Sequence, residues 1–338
     1  MAALALVLGG GNALGAYDAG AYEALAASGR QPDWIAGASI GAITGALIAG
    51  NPPEARLDRL EAFWRRAASP DGMPGGALRR SAQLASAVQT RLLGRPDLFR
   101  TRIPLLSREP GRLGLYDAGP MRRALLDLVD FDRLNGGAIR FSLVAVDLAS
   151  GEEVAFDTGR DRIGVDHLMA SAALIPDFPA VEVDGRWLVD GGLADNVPVD
   201  LVLSEPPEDE LLCFAVDPFP RSAALPESLL DVAERQNDLT FACQTERTLR
   251  FLAERDRLRR QAAPGLPGAE VFRLQYDGGT AETALKGWDF SRAALTRRWR
   301  AGRSDMEAAL RRLAEVSREA PREEPALTIH PPIRPRKA

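Results

Sequence analysis

The sequence predicts an α/β protein built on a parallel sheet, and three observations carry that prediction. Ala3–Leu8 is an unbroken apolar run of strand length, as a strand buried on both faces requires. Gly9-Gly10-Gly11-Asn12 breaks it, and Gly15–Ser28 then repeats apolar residues at helical spacing before Gly29 stops it. A short second strand, Trp34–Gly37, runs straight into a small-residue helix, Ile40–Ala49, ended by Gly50-Asn51-Pro52-Pro53. Strand, loop, helix, strand, turn, helix is the opening of a parallel α/β sheet.

Further elements follow in order. A helix is expected over Glu54–Ala67. Ser69–Tyr116 is rich in Pro, Gly and Arg with one amphipathic stretch, Ser81–Leu93, and reads as an inserted cap or lid. Pro120–Leu128 reads as a helix, Phe141–Val146 as a strand paired with Glu153–Phe156, and Asp166–Leu174 as a short helix. Ala180–Val183 and Trp187–Val189 flank Asp184-Gly185, a hairpin signal. Leu211–Val216 and Val271–Leu274 read as buried strands. Pro226 to Arg260 reads as a long helix presenting Leu239, Ala242, Leu249 and Leu252 on one face, and Ser291–Val316 as a final helix. The expected organisation is a catalytic domain over 1–204 with the lid at 69–116, an extension packed on it over 205–317, and a disordered, Pro- and charge-rich tail over 318–338.

The formal net charge of −5 argues against nucleic acid as a partner, which would call for a concentrated basic face. Two cysteines, Cys213 and Cys243, both read as buried small hydrophobes, give no disulfide framework. The two histidines, His167 and His330, are far apart, so no metal site and no metal or other cofactor are expected. Met1–Leu8 lacks the positive start of a signal peptide, and no apolar run approaches the roughly 18–20 residues of a membrane-spanning helix. The expected location is the cytoplasm, compatible with peripheral contact to a membrane. Nothing in the sequence sets an oligomeric state.

Gly37-Ala38-Ser39-Ile40-Gly41 has the form G-x-S-x-G. A nucleophilic serine at a strand-to-helix corner needs a strained backbone, and Gly37 and Gly41 let strand and helix approach. The competing reading is a glycine-rich turn with an incidental serine. The loop Gly9–Asn12 offers outward-facing amides, an anion site that serves acyl transfer as an oxyanion hole. A dinucleotide loop is its alternative, but Leu14 occupies the position of the last glycine and Ser39 would have no role. Asp190-Gly191-Gly192 places an aspartate at a strand end before an open turn, although a turn aspartate would look alike. A serine needs a base. His330 falls in the expected tail and His167 in a helix beside Leu168 and Met169, so a carboxylate has to be considered.

Together these motifs resemble the patatin-like phospholipases over roughly residues 3–204. Ala170-Ser171-Ala172-Ala173-Leu174-Ile175-Pro176, Phe178-Pro179 and Asp195-Asn196-Val197-Pro198 extend the resemblance. The stretch from Trp288 to Arg292, with Trp299 and Gly302, is similar to a bacterial subgroup. The resemblance implies a three-layer α/β/α sandwich with a mostly parallel sheet, and hydrolysis of lipid acyl esters by a Ser39–Asp190 dyad. Gly10, Gly11 and Asn12 would hold the oxyanion, and Gly37, Gly41, Gly191 and Gly192 would support the motifs. Short acyl or hydroxyalkanoate esters are the alternative substrates, and non-catalytic lipid binding is the alternative function. One departure stands out: Asn12 and Leu14 fall where the family has a third glycine and a basic residue.

Overall fold

The computed structural model describes residues 2–69, 79–102, 108–204, 210–263, 265–278, 282, 285–318 and 326–333. β1 (Ala3–Leu8) leads into α1 (Ala16–Ala27), and β2 (Trp34–Ala38) into α2 (Ile40–Ala49) and α3 (Arg56–Ala67). The inserted region contains α4 (Arg79–Leu93), β3 (Gly94–Arg95), β4 (Phe99–Thr101) and β5 (Tyr116–Asp117), followed by α5 (Gly119–Leu128) and α6 (Phe131–Leu134). Next come β6 (Arg140–Asp147), β7 (Glu153–Asp157), α7 (Val165–Ser171), β8 (Val181–Val183), β9 (Arg186–Asp190) and α8 (Val199–Leu203). The chain closes with β10 (Leu211–Asp217), α9 (Leu229–Ala262), β11 (Ala269–Gln275), α10 (Arg292–Val316) and β12 (Leu327–Ile329).

The main sheet runs β12-β11-β10-β1-β2-β6-β9-β8, with β7 also paired to β6. From β12 to β6 every pairing is parallel, whereas β7, β9 and β8 pair antiparallel. Alternation along β1 shows the layering. Leu4, Leu6 and Leu8 enter one core with α1, α2 and α10, while Ala5 and Val7 enter another with Leu249 and Leu252 of α9. That is the three-layer sandwich. The β8–β9 hairpin turns at Asp184 and Gly185, both at positive φ (50° and 75°), as a two-residue turn of this twist requires.

Several sequence expectations need correction. The segment after residue 204, expected to pack on the domain as an extension, enters its main sheet: β10 lies beside β1 in mid-sheet, and β11 and β12 continue it. The expected tail contains β12, paired along β11, and buried His330 stacks on Phe272 with ring centroids 4.1 Å apart. The open edge of β11 orders this stretch, a cause invisible in the local composition; residues 319–325 and 334–338 lie outside the described residues. On α9, Leu239 is 41% exposed, so the buried face is Ala242, Leu249 and Leu252 without it. Cys213 is buried as expected, but Cys243 is exposed. The expected lid carries a small sheet in the order β3-β4-β5, while 70–78 and 103–107 of it lie outside the described residues.

Helix α10 crosses α1 at unusually close range. A Cβ on Gly302 would lie 1.9 Å from the Tyr17 carbonyl oxygen, and one on Gly20 equally close to that of Trp299. Tyr17 Oη also donates to Asp305 at 2.7 Å, and Trp299 Nε1 donates to Glu23. Helix propensity alone would favour Gly302→Ala by ~1 kcal/mol. The clash should win, leaving a protein destabilised by ~1–3 kcal/mol. Thermal denaturation showing an unchanged or higher melting temperature would refute this close crossing.

Candidate active site

Two strand ends meet along one edge of β6. Residues 142–146 of β6 pair with β7 on one side. On the other side Ala38, the last residue of β2, pairs with Val144, and Asp190, the last of β9, pairs with Ala145. Because β2 and β9 run in opposite directions, their C-terminal ends face each other there. Ser39 follows the first end and Asp190 closes the second, so the register brings the two residues together although 151 positions separate them.

Ser39 adopts φ 55°, ψ −126°, a conformation that L-residues rarely hold. The surroundings impose it. A Cβ on Gly37 would lie 2.6 Å from the backbone of Gly41, and one on Gly41 would lie 2.2 Å from the Leu8 carbonyl oxygen. The Ser39 amide donates to Ser171 Oγ at 3.0 Å, which holds the corner from α7. Helix α2 starts directly after Ser39, so its positive end adjoins the hydroxyl.

Ser39 Oγ donates to Asp190 Oδ2 at 2.7 Å, and Asp190 Oδ1 accepts from the Gly192 amide at 2.8 Å. Each carboxylate oxygen thus has one assigned partner. Gly191 is required by space, since a Cβ there would lie 2.3 Å from the Val144 carbonyl oxygen. Burial pushes the Asp190 carboxyl up from its ordinary 3.8 to about 7, although the bonds from Ser39 and Gly192 pull it down. A carboxylate so placed can take a hydroxyl proton near neutral pH.

The glycine loop reaches the same place but not as the sequence suggests. The Gly10 amide, expected to face an oxyanion, donates to the Asn196 carbonyl at 3.1 Å, and the Asn196 side chain donates back to Gly10 O at 3.2 Å. Among the described residues the amides of Gly11 and Asn12 meet no acceptor, and both residues line the cavity that holds Ser39 and Asp190. Asn12 takes φ 54°, so it keeps the left-handed shape that a glycine would supply. Leu14, at the family's basic position, is fully buried.

The cavity measures about 360 Å³, and Ile40, Ile43, Phe63, Leu98, Phe99 and Met121 make much of its lining apolar. The insertion contributes Arg91 of α4 and Phe99 of β4; Ala233, Asn237 and Phe241 come from α9. Arg91 pairs with Asp177 at 2.6 Å and lies over the Trp288 ring. No histidine lines this cavity among the described residues. His167 accepts from the Gly164 amide through Nδ1 and packs edge-on to Phe156, a structural role. Among the described residues no set of three His, Cys, Asp or Glu side chains is disposed to hold a metal ion. Sequence reasoning missed the supports. Ser171 and Asn196 lay in the stretches of resemblance without an assigned role. Gln244 of α9, which accepts from the Asn196 amide and donates to Gly192 O, gave no signal.

A family model described as Patatin-like phospholipase matches residues 6–203, more than half of the chain, and one described as Patatin phospholipase matches 255–322. An uncharacterized NTE family protein of Mycobacterium bovis is 30% identical over 197 residues, 58% of this chain and 44% of that protein. A patatin-like phospholipase domain-containing protein of Caenorhabditis elegans is 24% identical over 59% of this chain and 12% of its own length. The chain therefore spans less than half the length of these curated relatives. Among solved structures, VipD from Legionella pneumophila aligns over 92% of this chain and 67% of its own, with 14% identity and a TM-score of 0.45.

The buried Asp190 carboxyl has a stability consequence. Between 3.8 and about 7 the folded protein holds a proton there that the unfolded chain releases. This group's contribution to stability therefore falls as pH rises through that window. Asp190→Asn should melt above the wild type at pH 8, with the gap closing toward pH 4. Equal melting temperatures at both pH values would show that Asp190 is not strained by burial.

Proposed function

The chain belongs to the patatin-like phospholipase family, and on that premise we propose that it hydrolyses carboxylic esters of lipids with Ser39 as nucleophile and Asp190 as base. The observation that carries this reading is the Ser39–Asp190 hydrogen bond, 2.7 Å long, in an apolar cavity of about 360 Å³. Ser39 Oγ attacks the ester carbonyl as its proton moves to Asp190 Oδ2. The oxyanion lies against the amides of Gly11 and Asn12, with the Gly10 amide serving the loop instead. Collapse expels the alcohol, which takes the proton from Asp190 and leaves the acyl group on Ser39. Asp190 then accepts a proton from water, whose oxygen attacks the acyl-enzyme. A second collapse frees the acid, and the proton returns to Ser39 Oγ. One carboxylate serves both halves, so activity requires Asp190 ionised and rises with pH through about 7.

The cavity opens among exposed apolar side chains. Leu92 and Leu93 follow Arg91 on α4 at 66% and 65% exposure, and Leu229 precedes the cavity residue Leu230 on α9 at 83%. These residues would rest on a lipid surface while the ester enters. Among the described residues no helix is long and apolar enough to cross a membrane.

Ester turnover by the wild type, Ser39→Ala and Asp190→Ala, on p-nitrophenyl acyl esters and on a phospholipid, tests the chemistry. Both variants should lose at least ~10³-fold in kcat while staying folded, and a fluorophosphonate should label Ser39 in the wild type. Retained turnover in folded Ser39→Ala would sink the mechanism, and the relative rates separate phospholipid from short-chain esters. Leu92→Ser/Leu93→Ser/Leu229→Ser should lower binding to phosphatidylcholine vesicles with little change on soluble esters; undiminished sedimentation would place the lipid contact elsewhere.

A further inference from the structure

Arg298 of α10 is completely buried, with all five guanidinium N–H groups in use. Nε and one Nη2 bond hold Glu282 at 3.0 and 2.7 Å. The remaining three go to backbone carbonyls outside α10: Ala13 at 3.2 Å, Asp289 at 2.8 Å and Lys286 at 2.8 Å. Burying a guanidinium is costly unless every donor is met. Here the charge is matched by one carboxylate, and the rest of the fork grips two loops.

Those loops border the site. Ala13 directly follows Asn12, which has a strained backbone (φ 54°) and lines the cavity. Leu14 N–H donates to Gly11 O at 3.0 Å within the turn, Asn196 holds Gly10 at its start, and Arg298 donates to Ala13 O on the other side. The turn carries no basic side chain of its own. The 286–289 segment brings Trp288 to the cavity, and a Cβ on Gly287 would lie 3.5 Å from Gly11 O. Helix α10 is a firm base for this grip, because the Gly20–Gly302 crossing and the Tyr17–Asp305 bond seat it on α1. Burial alone would raise the Glu282 carboxyl, but Arg298 and Arg297 outweigh it and hold it at about 2, so it is charged at neutral pH.

We infer that Arg298 is a positioning residue that sets the Gly11–Asn12 amides against the oxyanion, so that α10, nearly 300 residues downstream in sequence, belongs to the working parts of the site. The inference rests on the proposed hydrolase reading. A lysine can keep the charge but cannot bridge Ala13, Asp289 and Glu282 at once.

The full-length wild type, Arg298→Lys, Glu282→Gln and Leu252→Ala are compared below their melting temperatures. Each is assayed for kcat and KM on p-nitrophenyl butyrate and for inhibition by an alkyl trifluoromethyl ketone. That ketone forms a hemiketal oxyanion with Ser39. Arg298→Lys should lose at least about tenfold in kcat with KM within about threefold, and inhibitor affinity should fall in step with kcat/KM. Leu252→Ala, which opens the core on the other face of the sheet, away from α10 and the cavity, should melt lower yet keep kcat. Glu282→Gln, which removes the carboxylate that matches the buried Arg298 charge, should lower kcat and inhibitor affinity in the same direction with KM within about threefold, and it carries the test if Arg298→Lys does not fold. A folded Arg298→Lys with wild-type kcat and inhibitor affinity overturns the inference. So does a matching kcat loss in Leu252→Ala, or unchanged kcat and inhibitor affinity in a folded Glu282→Gln. A wild type that neither turns over the ester nor labels at Ser39 ends the hydrolase reading instead. In that case hydrogen exchange decides the inference: faster exchange of the 9–15 segment in Arg298→Lys supports the grip, and unchanged exchange refutes it.

Discussion

The arrangement turns on two strand ends that share one edge of β6. With Ala38 opposite Val144 and Asp190 opposite Ala145, consecutive residues of a single strand fix where Ser39 and Asp190 can be. That proximity leaves little room for side chains nearby. Gly37, Gly41 and Gly191 meet backbone atoms of Gly41, Leu8 and Val144 where a Cβ would be. The strained φ of Ser39 follows from the same crowding, because the chain must leave β2 and enter α2 within one residue. Anchoring comes from further away: Ser171 holds the Ser39 amide, and Asn196 holds Gly10 from both sides.

Desolvation then shapes the chemistry. Asp190 is 3% exposed, and its two oxygens are hydrogen-bonded separately: Oδ1 accepts from the Gly192 amide and Oδ2 from the Ser39 hydroxyl. Burial that raises its proton affinity costs stability when the group is ionised, and it would supply the basicity of a cavity that no histidine lines among the described residues. In the proposed reaction the same carboxyl moves the proton in both half-reactions, so no second titrating partner is needed.

The C-terminal third of the chain is part of the same body. Strand β10 pairs directly with β1, which ends at the glycine loop, and α9 supplies cavity residues with its first half and core residues with its second. Helix α10 lies close on α1, and its buried arginine reaches the carbonyl beside Asn12. The aromatic group of Phe99, Tyr116, Phe178 and Trp288 joins the inserted region to this C-terminal part across the cavity. Removing residues beyond 204 would therefore strip strands from mid-sheet and one wall from the cavity.

The sequence by itself determined the elements whose causes are local. Continuous apolar runs marked β1, β2 and β10, glycines marked the turns, and G-x-S-x-G and Asp-Gly-Gly marked Ser39 and Asp190, because strained corners and close approaches leave their trace in residue type. Asn12 stood out in the sequence as a departure from a glycine, and its positive φ shows that it takes the backbone shape a glycine would. Tertiary structure decided what depends on distant partners. Asn196 redirected the Gly10 amide away from the cavity, and the free edge of β11 turned an expected tail into β12. Exposure of Leu239 and Cys243 followed from how α9 lies on the sheet. The bond from Arg298 to Ala13 spans 285 positions, and no local pattern encodes it, since a buried charge is tolerated wherever the fold happens to bring carbonyls and a carboxylate around it.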